Sequence, residues 1–347
     1  MQVILGTAGL TAGLLSSAVY TIVILMSIVS SVLVPPLLRR TLHRWEGTEE
    51  EQQRLREEKE LSTNVVVRGQ RLLLPSRGSR NSFTAARILD LAWPAASEVT
   101  ILSIGSNGNG GPPDLSIAHD LLATRETSEQ HIDTDHAVDA ILAEANLGYG
   151  VIALGADDRT TPDRLLSPVI EGLANRSPIP LLIVKRGRHV AADGEQRPIV
   201  RPRHLVVPVT GNAPSRAGQE VAHQISRNTG ADITLVHVAT RPESSRDAAV
   251  DVLDHAENTS SGQGVEPGTV LLRGQSAGEE VLRYADECNA DLIIVGATVR
   301  RVAGRPFLGH TVEHLLEHGT DATVVVVALP DAQQASGVEE HVDRTEA

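Results

Sequence analysis

Twice along the chain, short aliphatic runs of strand length alternate with helical patterns, and the order of the signals is the same both times. Such alternation commits a chain to parallel strands, because a crossover helix is what returns the backbone to the same end of a sheet. In the later stretch HLVVPV (204–209) ends at Thr210-Gly211-Asn212, and DITLVHV (232–238), GTVLLRG (268–274), DLIIVG (291–296) and ATVVVVAL (322–329) follow as strands. Helices are expected after the first of these and at 277–289 and 311–319. The earlier stretch reads RLLLPSRGS (71–79), EVTILSIG (98–105), YGVIALGA (149–156) and PLLIVKRG (180–187), with helices at 136–146 and 165–176. Unbroken aliphatic runs suit strands covered on both faces. With aromatic residues at 2%, the core must be Leu, Val, Ile and Ala.

The N-terminus follows a different pattern. No charged side chain occurs from Met1 to Leu38, and Leu14–Val34 is almost wholly apolar, long enough for a membrane-spanning helix of roughly 20 residues. A secretory signal would carry Lys or Arg before the apolar run, a shorter run and a small-residue cleavage site, and this segment has none of them. Arg39, Arg40 and Arg44 follow the run, which predicts a single-pass protein of the cell membrane with its C-terminal side cytoplasmic. Gly9 and Gly13, near Ala12, Ser16 and Ser17, suit close helix packing in lipid, although small residues are also common in spans generally. With no Asp, Glu, Lys or Arg in the span, any ion pathway needs helices from elsewhere.

The expected organisation is thus a transmembrane helix and basic flank (1–45), a charged helical connector (46–63) and an α/β domain (64–187). A Gly-, Pro- and charge-rich linker (188–203), a second α/β domain (204–330) and an acidic, disordered tail (331–347) complete it. A net charge of -13 excludes non-specific nucleic-acid binding. The single cysteine, Cys288, excludes an internal disulfide and a multi-cysteine zinc site.

The phrase VLLRGQSAGEEVLRYADECNADLIIVGA (270–297) is similar to the signature of the universal stress protein (UspA-like) family, and both stretches resemble its domains in order and spacing. The resemblance implies two doubly wound, five-stranded parallel-sheet domains forming a pseudo-dimer. Their last strands, around Leu181–Val184 and Val324–Val327, would pair across the two. The apolar segment ending in PPLLRR resembles the last transmembrane helix of cation:proton antiporters, some of which carry such domains. The function expected is therefore a membrane-anchored regulatory or ligand-sensing module of an antiporter system. The alternative is a stand-alone, membrane-tethered universal stress protein. Expected partners are membrane lipid, antiporter helices and a second copy of the chain.

ATP-binding members of that family carry Gly, two residues, Gly, nine residues, Gly, then Ser or Thr, with glycines and helix-terminal amides meeting phosphate. In the second domain this falls on Gly296, Val299, Gly309 and His310, with Thr311 next. The nine-residue spacing is kept, whereas Val299 and His310 depart from the pattern. Thr210 and Gly211 after the first strand, and Val238 ending the second, complete the site the resemblance implies for ATP or another adenine nucleotide. Arg300, Arg301 and Arg305 would add positive charge. The other reading is that Gly296 and Gly309 persist only as turn residues. In the first domain the positions are Gly155, Asp158, Pro168 and Val169, with an acid and a proline where phosphate would sit, so no ATP is expected there. The family's acidic residue after the first strand is replaced by Arg77 and Thr210.

Other strings carry less chemistry. His310-Thr311-Val312-Glu313-His314 matches H-x-x-E-H, but it lies where the family has an ordinary helix, and no metal is expected. His131–His136 reads as a loop before a helix that Asp135 would cap. GSNGNGG (105–111) lacks a P-loop lysine, no Ser–His–Asp arrangement can be argued, and no enzyme activity is expected.

Overall fold

The computed structural model describes residues 66–105, 113–156, 165–188, 201–240, 246–302, 304–318 and 320–330, with Ala18, Thr21, Ile22, Leu25 and Met26. Those five positions are helical and exposed. The rest of the expected span at 14–34 lies outside the described residues, as do the connector, the loop 106–111, Asp158, most of the linker and the acidic tail. Among the described residues no helix is long and apolar enough to cross a membrane. The chain divides into two compact units, Met1–Glu60 and Leu61–Ala347, and the α/β architecture belongs to the second.

Its first half runs β1 (Arg71–Pro75), α1 (Arg80–Ala92), β2 (Glu98–Gly105), α2 (Ser116–Leu121), β3 (Thr127–Asp133), α3 (Ala137–Ala145), β4 (Val151–Gly155), α4 (Pro168–Arg176) and β5 (Leu181–Lys185). The second half runs β6 (His204–Pro208), α5 (Ala213–Thr229), β7 (Asp232–Ala239), α6 (Arg246–Ser261), β8 (Gly268–Arg273), α7 (Ala277–Glu287) and β9 (Leu292–Thr298). A short hairpin, β10 (Arg300–Val302) and β11 (Arg305–Phe307), then precedes α8 (His310–His318) and β12 (Thr323–Leu329).

All strands outside the hairpin form one ten-stranded sheet in the order β3-β2-β1-β4-β5-β12-β9-β6-β7-β8. Pairing is parallel within each half, and the two halves meet where β12 runs antiparallel to β5, Val325 opposite Val184 and Val326 opposite Ile183. Helices α1, α2, α5 and α6 bury one face of the sheet and α3, α4, α7 and α8 the other. This is the doubly wound, three-layer solution for strands that are apolar on both sides. The seam is also crossed on the helical layer, where Asn228 Nδ2 at the end of α5 donates to Leu91 O of α1 at 2.7 Å. The entering chain is held there too, because the Val66 amide donates to Glu220 Oε2 on α5 at 2.9 Å.

Two local expectations are corrected. His131, Ile132 and Asp133, read as part of a loop, belong to the edge strand β3, which pairs in parallel with β2 from Val99↔Thr127 to Gly105↔Asp133. Its TSEQHID sequence has no aliphatic run because an edge strand needs none. Asp135 does not cap α3: the N-cap position is His136, without a side-chain cap bond. The stretch between Val299 and Gly309 holds the β10–β11 hairpin, turning at Gly304 with φ +80°.

Candidate functional site

The two halves build the same turn after their first strand. Pro75-Ser76-Arg77-Gly78-Ser79 and Pro208-Val209-Thr210-Gly211-Asn212 each place a glycine at positive φ, +71° and +76°. Each then caps the following helix with a side chain: Ser79 Oγ accepts from the Ser82 amide at 3.2 Å, and Asn212 Oδ1 from the Ser215 amide at 3.0 Å. Such capping satisfies one of the orphan donors at a helix start. Behind each turn a glycine lets the helix start sit on the neighbouring strand. A Cβ on Gly155 would lie 2.4 Å from the Ser82 nitrogen, and one on Gly296 1.7 Å from the Pro214 carbonyl oxygen. Gly296 therefore has a packing duty that requires no ligand.

The halves differ in what lies above these turns. In the first half a cavity of about 510 Å³ opens at the carboxyl ends of β1, β2 and β4. Its floor is apolar, with Leu102, Ile104, Ile141 and Leu154, and its rim carries Ser76, Ser79, Ser82 and Ser167. The hydroxyls are networked: Ser76 Oγ lies 3.0 Å and Ser79 Oγ 3.2 Å from Ser82 Oγ. The N-termini of α1 and α4 border it, the latter capped by Ser167 Oγ accepting from the Ile170 amide at 3.3 Å. Arg77 supplies its charge. This is the crevice between β1 and β4 where strand order reverses, the position at which open α/β sheets take ligands. The wall behind it is held by Asn81, whose Nδ2 donates to Ala156 O and whose Oδ1 accepts from the Arg186 amide at 3.0 Å.

In the second half the strand register brings Thr210, Val238 and Gly296 to the same end of the neighbouring strands β6, β7 and β9. Thr210 and Gly211 are exposed, and the Thr210 amide donates to Ser215 Oγ at 3.1 Å. Val299, however, is 3% exposed within the core, and its amide is committed to Leu329 O at 3.0 Å. Gly309 has φ +101° with open space around it and starts α8, followed by His310 and Thr311. His310 is exposed and its ring meets Phe307 edge-on, with centroids 5.0 Å apart. Of the basic residues expected near phosphate, Arg301 reaches across the seam instead, where its Nη2 donates to Asn175 O near the end of α4 at 2.6 Å.

These environments separate two glycines that look alike in sequence. Gly296→Ala is expected to destabilise the fold by about 2–3 kcal/mol, because backbone must move to admit the methyl group. Gly309→Ala meets nothing and is expected to cost about 1–2 kcal/mol from its φ alone. Urea unfolding of the two variants checks the order.

On α8 the His314 and His318 rings stack with centroids 3.9 Å apart, and Gly278 of α7 leaves room for His314. Burial lowers the His314 pKa, and the neighbouring His318 lowers it further. Among the described residues no three His, Cys, Asp or Glu side chains converge as metal ligands would.

The first-half cavity is what reasoning from sequence missed. Its signal was the serine-rich turn 76–82 at a helix start, which the loss of the phosphate pattern at Pro168 and Val169 overshadowed.

Comparison with known proteins follows the same division. Residues 202–328 match the model of the universal stress protein family. None of the curated proteins compared matches the chain. Among solved structures, a universal stress protein from Archaeoglobus fulgidus DSM 4304 is 20% identical, covering 74% of this chain and 97% of its own, with TM-score 0.51. One described as a putative universal stress protein, from Pseudomonas aeruginosa UCBPP-PA14, is 16% identical, with 81% and 100% covered and TM-score 0.52. The cytoplasmic domain of a prokaryotic cation chloride cotransporter is 13% identical, with 77% and 98% covered and TM-score 0.50. These likenesses extend the fold over both halves, and residues 202–328 form a universal stress protein domain.

Proposed function

We propose that the chain is a membrane-anchored regulatory module that senses a small ligand, an adenine nucleotide or a related compound, in the cavity between β1 and β4. In this reading residues 64–187 and 204–330 are a tandem pair of universal stress protein domains on the cytoplasmic side. They act on a cation:proton antiporter system rather than catalyse a reaction. The observation that carries the ligand reading is the cavity itself. Its volume of about 510 Å³ falls in the range of small-molecule sites, roughly 300–1,000 Å³. Its apolar floor suits a flat ring, and its serine rim and two helix starts suit a polar or anionic end. The uncharged N-terminal segment with its following arginines supports the anchor. The transporter domain among the similar folds makes the regulatory setting a coherent one, by analogy alone.

The test uses the full chain in mild detergent, titrated calorimetrically with ATP, AMP and cyclic AMP. Ala137→Trp, which fills the first cavity from the start of α3, is expected to weaken binding about tenfold or more, while Gly309→Ala leaves it unchanged. The reverse pattern would move the ligand to the Gly296–Thr311 site of the second half. No binding of any of the three would sink the nucleotide reading. Pull-down from native membranes addresses the partner: an antiporter that co-purifies supports the regulatory role, and the chain alone favours a stand-alone tethered protein.

A further inference from the structure

The turns after β1 and β6 share a backbone, with Gly78 and Gly211 both at positive φ, but they carry different side chains. The first presents Ser76, Arg77 and Ser79 where the second presents Val209, Thr210 and Asn212. Ser76, Arg77 and Ser79 all line the cavity between β1 and β4, and Arg77 is the one ionisable side chain among the described residues that do. It is exposed, and among the described residues neither a carboxylate nor a carbonyl accepts from its guanidinium. That sets it apart from Arg71, Arg87 and Arg125, which are paired with Glu98 and Asp90.

The positive charge this lining offers a ligand is small. Besides Arg77 there are the starts of α1, 13 residues long, and α4, 9 residues long. Each helix start is worth about half a unit, so the whole amounts to about two units at most. A phosphate monoester carries about 1.5–2 negative units near neutral pH, which this complement matches. A triphosphate brings two further anionic groups, and a charge that enters a cavity without a partner bears the cost of its lost hydration. The hydroxyls of Ser76, Ser79 and Ser82 are uncharged and already bonded among themselves, so they do not alter this balance.

We propose that Arg77 determines the specificity of this cavity, selecting a ring compound that bears a single phosphate over the corresponding triphosphate. The inference rests on the cavity being the sensing site. The ring lies against the apolar floor of Leu102, Ile141 and Leu154, and the phosphate meets Arg77 at the rim. A guanidinium presents two parallel donors whose spacing fits two oxygens of one phosphate, which an ammonium does not. Thr210, at the matching place after β6, offers a hydroxyl and no charge, so the discrimination belongs to the first half.

The probes are AMP, ATP and adenosine, titrated calorimetrically into the full chain in mild detergent at constant ionic strength and without divalent cations. AMP is expected to bind about tenfold or more tightly than ATP, and more tightly than adenosine. Arg77→Gln should weaken AMP about tenfold, as for the loss of a charge-assisted hydrogen bond, and leave adenosine unchanged. Arg77→Lys should recover part of the AMP affinity, because it keeps the charge without the fork. Ala137→Trp should weaken AMP and adenosine together. ATP binding as tightly as AMP, with Ala137→Trp weakening both, overturns the selectivity and leaves the sensing site standing. So does an Arg77→Gln protein that keeps its AMP affinity or that loses AMP and adenosine equally. AMP binding that Ala137→Trp leaves intact, or no binding of any probe, overturns the sensing site and this inference together.

Discussion

Arg125→Met is expected to lower the unfolding free energy by about 3–5 kcal/mol, the range for breaking a buried ion pair by removing one partner. The guanidinium sits between α2 and β3 and gathers the end of α1. Its Nε donates to Asp90 Oδ1 at 3.2 Å, its Nη1 to Pro94 O at 2.6 Å, and its Nη2 to Asp90 O and Trp93 O, both at 2.6 Å. Three of these acceptors are carbonyls at or just beyond a helix end, which have no intrahelical partner. Burial lowers the Arg125 pKa, and Asp90 opposes that shift, so the ion is held by its partners. Methionine fills the space but takes this donor from the Asp90 and Trp93 carbonyls, while Pro94 O keeps the Ser97 amide at 2.9 Å. It also takes one partner from Asp90, which keeps Arg87 and Thr124. Lysine should recover only part of the loss, because one ammonium cannot reach every acceptor in this fork. Denaturant unfolding followed by circular dichroism is the measurement. A loss below about 1 kcal/mol for Arg125→Met would mean that water replaces the guanidinium at this helix end.

Arg125 carried no signal that could be read before the fold was known, because its partners lie 31 to 35 residues away at the end of α1. The aliphatic strands β4, β5, β9 and β12 were legible because a strand covered on both faces must be apolar throughout. β3 was not, since one of its sides faces solvent and its sequence carries no run to recognise. The β10–β11 hairpin was hidden for a related reason. Arg300–Phe307 has neither alternation nor core, and only its antiparallel register defines it. The pairing of β5 with β12 followed from family resemblance, not from any pattern within LLIVK or TVVVVAL.

The site was less legible than the fold. Gly296 matched a phosphate pattern, yet its closest neighbour is the Pro214 carbonyl, and Gly155 has the same kind of neighbour in Asn81 and Ser82. A glycine that admits a helix and one that admits a ligand look identical in a string. The same holds for arginines. Arg301, three residues after Thr298, resembled a phosphate contact, whereas it closes the end of α4 in the other half. Lys185 and Arg188 do the reciprocal service for α8. Basic residues at the seam thus exchange helix-end caps between the halves, a relation that pairs residues more than a hundred positions apart.

Acidification should reveal a second buried group. His223 on α5 is 1% exposed, with Nδ1 2.7 Å from Gln263 Oε1 and Nε2 2.8 Å from Ser260 Oγ. Burial lowers its pKa to about 4. The hydrogen bond to Gln263 opposes this, and the positive charge of Arg227 reinforces it. The ordinary value is about 6.5. A neutral ring is therefore kept in the folded protein over a range where the unfolded chain takes up a proton. Stability from this residue is fully present above about pH 6.5, falls as the pH drops, and is lost as the pH passes through about 4. The linkage amounts to about 2 kcal/mol between pH 7 and 5 and about 3 kcal/mol by pH 4. His223→Gln removes the titration, so the gap in unfolding free energy between the two proteins should narrow by those amounts on acidification. Urea titrations at pH 7, 5 and 4 measure it, with common carboxylate effects cancelling in the difference. A gap that stays constant across this range would show that the imidazole can charge without leaving its place between α5 and α6. The buried contact would then be permissive of the cation rather than selective against it.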